Sequence, residues 1–155
     1  MTKIINQINN LLAPATKIPE SITLLTARLA IFFVFWRSAQ TKISGGEFLG
    51  QNWAFFNVSD STKLLFEYEY DLPLIPADLA AYLATFGEFF LSLLVLFGLF
   101  TRLGALGLLV MTAVIQLLVY PEAYSLHILW AAALLYVLKD GPGKLSLDFF
   151  LTKKA

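Results

Sequence analysis

Four stretches of the chain stay apolar long enough to cross a bilayer, which takes about 20 residues with a range of about 17–25. They cover about 22–42, 77–99, 103–119 and 123–138. The last is slightly short, but Pro121 and the sequence "KDGPG" bound it. Only Phe100, Thr101 and Arg102 separate the second stretch from the third, and "YPEAY" joins the third to the fourth. Links this short force sequential helices to pack side by side. The pattern therefore predicts an all-α fold, an integral membrane four-helix bundle running up-down-up-down as a single domain over residues 1–155. Ala80, Ala84, Gly87, Gly104, Ala105 and Gly107 supply small side chains where such helices must approach closely.

The segments outside the spans carry their own patterns. In "TKIINQINNLL", residues 2–12, Ile4, Ile5, Ile8, Leu11 and Leu12 share one helical face. That predicts a short amphipathic helix in the membrane interface, ended before Pro14. It is too polar for a signal peptide, and no small-x-small cleavage pattern follows an apolar run. Residues 44–76 form the long outer loop. Within it "SDSTKLLFEYEY" opens on a Ser59/Asp60 cap and predicts a few turns of helix, whereas Pro73 and Pro76 hold "DLPLIP" extended. Trp53, Phe55, Phe56 and Phe66 are expected to fold this loop down onto the mouth of the bundle.

Composition agrees with a membrane protein: 58% of residues are apolar and 14% charged, against about 45–50% and about 25% in soluble domains. Equal numbers of acidic and basic residues give no sign of a nucleic-acid partner. The chain has no cysteine and one histidine, His127. It cannot build disulfides, thiolate metal sites, bis-histidine haem or a three-histidine zinc site from its own residues. No metal site is expected. Lys3, Lys17, Arg102, Lys139, Lys144, Lys153 and Lys154 fall on the side of the two termini and the 100–102 turn, and acidic residues dominate the other side. The bias predicts cytoplasmic N and C termini.

A few polar residues interrupt the spans. Glu88 lies near the middle of "YLATFGEFFLSLLVLFGLF", and a central charge costs roughly 2.5–3.5 kcal/mol on insertion scales unless it faces inward and is paired. Arg28 and Arg37 are nine residues apart, so on an ideal helix they point in opposite directions. Arg37 is expected to face the bundle and reach Glu88, with Arg28 snorkelling to headgroups or meeting a neighbouring chain. Ser38, Thr41 and Lys42 close the first span nearby, and Gln116, His127 and Trp130 lie at a similar level on the third and fourth. These residues predict one polar pocket in the outer half, with Arg37, Lys42, Glu88, Gln116, His127 and Trp130 as candidate ligand-binding residues and Glu88 and His127 as candidate proton relays. Each also has a plainer role: Gln116 as a bond between two helices, His127 as a hydrogen-bonded packing residue, Glu88 as a protonated structural acid.

The segments "FWRSAQTKI", "LPLIPADLAAYLATFGEFFLSLLVLFGLFTRLGALGLLVMTAVIQLLVYPEAY", "HILWAAALLY" and "DGPGKLSLD" resemble, in order over about residues 22–149, the DoxX family of small bacterial inner-membrane proteins. The resemblance places the family's helix-1 arginine and lysine on Arg37 and Lys42, its glutamate on Glu88, its Thr-Arg turn on Thr101 and Arg102, and its Gln and His on Gln116 and His127. The closing Gly-Pro-Gly motif falls on Gly141 to Asp148, with Lys144 where arginine is common. Ala39-Gln40 departs from a frequent Gly-Leu pair. It implies a multi-pass protein of the bacterial inner (plasma) membrane, with residues 44–76 as a partly helical periplasmic loop. Family members are described as subunits of quinone-linked oxidoreductases or as membrane partners of soluble redox enzymes.

Three functions follow as expectations. In the first, the chain is a redox-associated subunit whose pocket takes a quinone or similar ligand, with no covalently bound cofactor or metal and with electrons supplied by a soluble or membrane redox enzyme partner. In the second, it is a non-catalytic membrane anchor or assembly partner of a soluble enzyme. The third is a proton-coupled small-solute carrier, which four helices could build only as a homo-oligomer.

Overall fold

The computed structural model describes residues 1–153; Lys154, one of the basic residues assigned to the terminal side, lies outside them. Its elements are α1 (Thr2–Leu12), a 3-10 turn (Ala13–Lys17), α2 (Glu20–Lys42) and a small hairpin of β1 (Glu47–Phe48) with β2 (Gln51–Asn52). Then come α3 (Asp60–Leu65) with a π-helical turn (Phe66–Tyr70), α4 (Ala77–Phe97), and α5 (Thr101–Val114) with a π-helical end (Ile115–Val119). A 3-10 turn (Pro121–Ala123) leads into α6 (Tyr124–Asp140), and α7 (Leu147–Thr152) closes the chain. Four helical stretches, Glu20–Lys42, Ala77–Phe97, Thr101–Val119 and Pro121–Asp140, are long and apolar enough to cross a membrane. The architecture is the expected all-α four-helix bundle, in which α2 packs on α4 and α6, and α5 on α4 and α6.

The core of the bundle is apolar and drawn from every span: Ile31 and Phe35 of α2, Val95 of α4, Ala105 and Leu108 of α5, Leu134 and Val137 of α6. Small residues set the α4–α5 distance. A Cβ on Gly104 would stand 3.2 Å from the Leu91 carbonyl oxygen, so the backbones nearly touch there. The turn between these helices ends α4 with a left-handed Gly98, where Leu99 N–H donates to the Leu94 carbonyl and Gly98 N–H to that of Val95. This is the Schellman arrangement, which satisfies carbonyls that a helix end would otherwise orphan. Gly98 is required twice over, because a Cβ would also lie 2.4 Å from Ser146 Cβ.

The ends differ. α1 buries none of its residues on the protein, and Ile4, Ile5, Ile8, Leu11 and Leu12 remain exposed, as an amphipathic helix in the interface requires. At the other end, the 43–76 segment covers the bundle. Ser59 Oγ caps α3 by accepting from Thr62 N–H at 3.2 Å. Phe66 is buried against Ala80 and Ala81, and Trp53 and Phe55 pack on Phe89. Phe56 stays exposed. Tyr120 donates to Glu69 at 2.6 Å, tying the π-helical turn to the α5–α6 link. That bond to Glu69, with Tyr70 alongside, pushes the phenol far above its usual range.

Candidate functional site

Glu88 is buried, and its partner is Lys42. The Lys42 Nζ lies 2.9 Å from Oε2 and 3.2 Å from Oε1, and Ser38 Oγ donates to Oε1 at 3.0 Å. Lys42 also reaches Ser38 Oγ at 2.7 Å and the Ser38 carbonyl at 3.3 Å. The positions explain the choice. Ser38 and Lys42 are four apart, so both side chains meet the same stretch of α4. The buried stripe of α2 runs through Leu24, Arg28, Ile31, Phe35, Ala39 and Lys42. Arg37 falls off that stripe and is exposed. The expected Arg37–Glu88 pairing is therefore corrected to Lys42–Glu88.

Arg28 corrects the second half of that expectation. It lies on the buried stripe, is 1% exposed, and neither snorkels nor faces a neighbour. Its Nε donates to the Val95 carbonyl at 2.8 Å and an Nη donates to that of Leu96. The other Nη donates to the carbonyls of Pro142 and Leu145 at 3.0 and 2.7 Å. One guanidinium thus caps the C-terminus of α4, where a cation is favoured, and fastens the 141–146 segment to it. Beside it Asp148 accepts from the N–H groups of Phe100 and Thr101 at 2.8 and 2.9 Å and from Thr101 Oγ1 at 2.8 Å. Burial pushes the Asp148 carboxyl up, but those donors and the Arg28 charge outweigh it and hold it below its ordinary value. Sequence reasoning missed this clamp. Its signals were the 28–31–35–39–42 spacing of α2 and the two glycines flanking Pro142, both of positive φ.

The third polar group joins α5 to α6. His127 Nδ1 lies 2.8 Å from Gln116 Oε1, while Gln116 Nε2 donates to the Pro121 carbonyl at 2.7 Å. The second bond fixes which end of the amide is oxygen, so Nδ1 must carry the imidazole proton and Nε2 is left as an acceptor. Among the described residues Nε2 has no hydrogen-bond partner, and it is not sealed from the surface. Trp130 packs against the ring, 4.9 Å between centroids. His127 and Gln116 line a groove of about 340 Å³ between α5 and α6, with Leu109, Ala113, Tyr124 and Ile128 among its walls. Tyr124 and Ile128 are exposed, so the groove opens sideways on the surface that faces lipid.

The expected single pocket is thus divided. Lys42, Ser38 and Glu88 form one closed group, and Gln116 and His127 form another. Trp130 links the second group to α2 through Phe35, whose ring lies 5.6 Å away. Neither the lateral groove nor a larger one at the terminal end, about 630 Å³, is lined by Glu88 or Lys42. Among the described residues no three His, Asp or Glu side chains are grouped to hold a metal ion.

Comparison with known proteins agrees with this arrangement of spans. Over 144 residues the chain is 28% identical to an uncharacterized protein of Haemophilus influenzae, covering 88% of this chain and 87% of the relative. No solved structure matches it. The DoxX family model matches residues 23–121, from the first span through the link to α6, and leaves His127, Trp130 and the Gly141–Asp148 segment outside the match. With the first three of its four apolar helices inside that match, the chain is a multi-pass membrane protein and belongs to the DoxX family.

Proposed function

We propose that the chain is a redox-associated membrane subunit that holds a lipid-soluble quinol-type ligand in the lateral groove between α5 and α6. The observation that carries this reading is His127, which lines this mainly apolar groove and leaves Nε2 as an unpaired hydrogen-bond acceptor. An acceptor selects a ring hydroxyl over a ring carbonyl, so the reduced form of a quinone is the better ligand. The groove volume falls within the range of about 300–1,000 Å³ usual for small-molecule sites, and its lateral mouth admits a ligand from the bilayer. When a partner enzyme takes two electrons and one proton from the ring, Nε2 is placed to accept the proton of the other hydroxyl, and Gln116 Oε1 steadies the imidazolium. Glu88 is no longer a relay in this reading, because Lys42 and Ser38 already occupy its oxygens.

Titration of the protein in nanodiscs with short-chain ubiquinol and ubiquinone tests the reading. Saturable binding that is tighter for the quinol and markedly weakened in His127→Phe supports it. Equal binding by wild type and variant overturns it.

The anchor reading keeps one observation of its own. Arg28 and Asp148 hold α7 firmly, and the groove beside it has a charged rim of Glu20, Arg102, Asp140 and Lys144, suited to a polar protein surface. Lys144→Glu would then weaken recovery of a soluble partner while leaving quinol binding intact.

A further inference from the structure

We infer that residues 46–56 form a membrane-inserted hairpin, embedded in the leaflet on the loop side, where sequence reasoning placed them outside the bilayer. Ser38 bonds Glu88, so those positions stand at one level of the bundle. From there α2 continues four residues to Lys42, whereas α4 continues eleven to Ala77. At about 1.5 Å per residue, α2 stops about 10 Å short of the end of α4. The chain leaving α2 is still beside the apolar surface of α4, where Leu79 and Leu83 are exposed.

The hairpin does not rise from Lys42 but folds back along α2. Asn52 N–H donates to Gln40 Oε1 at 2.6 Å, Gln40 Nε2 donates to the Asn52 carbonyl at 3.2 Å, and Trp36 Nε1 donates to Gln51 Oε1 at 2.7 Å. Successive strand residues thus meet α2 at positions 40 and 36, one turn deeper each time. Gly46 makes the reversal possible: it has positive φ, and a Cβ there would lie 2.7 Å from the Ala54 nitrogen. Phe55 meets Phe86 and Phe90 on α4, which makes this segment continuous with the lipid-facing surface.

Between Lys42 and Asp60 the only charged residue is Glu47. Phe48, Leu49 and Phe56 are 64%, 83% and 65% exposed. Leu49 and Gly50 both have positive φ at the two-residue tip, the setting in which Asn-Gly or Asp-Gly is favoured. Leucine there gives up backbone comfort for an apolar tip. The polar backbone is served within the protein, by the β1–β2 pairing, by Gln40, and by Trp53 Nε1 donating to the Phe48 carbonyl. Such internal satisfaction is what irregular backbone needs near hydrocarbon. The partner of this surface is the acyl-chain and headgroup boundary of the leaflet.

Because the chain has no cysteine, single cysteines can carry spin labels without background. Labels at Leu49→Cys, at Leu83→Cys on the lipid face of α4, and at Glu67→Cys on the outermost turn are compared in nanodiscs. Collision rates with oxygen and with a water-soluble nickel chelate are read at each site. A Leu49 label resembling the Leu83 label, oxygen-rich and shielded from nickel by several-fold relative to Glu67, is the expected result. A Leu49 label as open to nickel as the Glu67 label overturns the inference. Trp53 is expected to supply part of the tryptophan emission quenched by brominated lipid, beside Trp36 and Trp130, so quenching falls in Trp53→His; quenching unchanged in that variant overturns the inference.

Discussion

Two polar pairs lie within the bundle, and they differ in what each leaves over. In the Lys42–Glu88 pair every carboxylate oxygen is engaged, and Ser38 closes the gap between the partners. The aromatic cluster of Trp36, Trp53 and Phe89 and the 43–62 segment pack around it; Ser59 N–H donates to the Lys42 carbonyl. The Gln116–His127 pair engages both ends of the amide and only one imidazole nitrogen. The first pair can specify how α2 and α4 dock but has nothing to offer a ligand. The second has an acceptor to spare, on a groove that opens to lipid. In a membrane interior, depth and charge mark where burial is costly, whereas an unspent hydrogen-bonding atom marks where something can bind.

The largest effect expected follows from breaking the saturated pair. Lys42→Met or Glu88→Leu alone strands a buried charge or its remnant and lowers stability by about 3–5 kcal/mol, whereas the double variant recovers most of the loss. Thermal unfolding of the four proteins of that cycle in one detergent measures it. A double variant as unstable as the sum of the singles would show no coupling between Lys42 and Glu88 and would contradict the pairing.

Next in size is the open pair. His127→Phe removes the acceptor but keeps the ring packed on Trp130, and quinol affinity falls about tenfold or more, equivalent to roughly 1.4 kcal/mol or more. Gln116→Leu frees the imidazole to exchange tautomers. Affinity then falls by a smaller factor, and stability by about 1 kcal/mol for the lost hydrogen bond. Binding isotherms for both variants, taken beside wild type, sharpen the contrast with Glu88.

The smallest effect belongs to the terminal end. The Asp148 carboxyl is held below its ordinary value of 3.8. Its contribution is thus complete above that value and fades as pH falls through the lower folded-state value. Protection of the α7 amides, exchange taken relative to the intrinsic rate at each pH, should fall in wild type in that acid window alone. In Asp148→Ala it should be low already at neutral pH, with no acid step.

The spans were legible because hydrocarbon imposes both a length and a composition, and the short 100–102 and 120–124 links left one way to pack them. Glu88 was legible as a buried acid for the same reason. Its partner was not. Arg28 and Arg37 were correctly read as opposed, but choosing the inward one needed the stripe through Ile31, Phe35, Ala39 and Lys42, and that stripe includes Arg28. The split of the pocket was hidden too. Residues at one height on four helices can face different neighbours, and height alone does not say which. The clamp at Asp148 depends on a segment between α6 and α7 whose backbone follows no period.

The most direct measurement is quinol binding by Lys42→Met/Glu88→Leu and by His127→Phe, each folded in nanodiscs and titrated beside wild type. The double variant is expected to bind as wild type does, whereas His127→Phe binds about tenfold more weakly or worse. Binding lost in the double variant and unchanged in His127→Phe would contradict that reading.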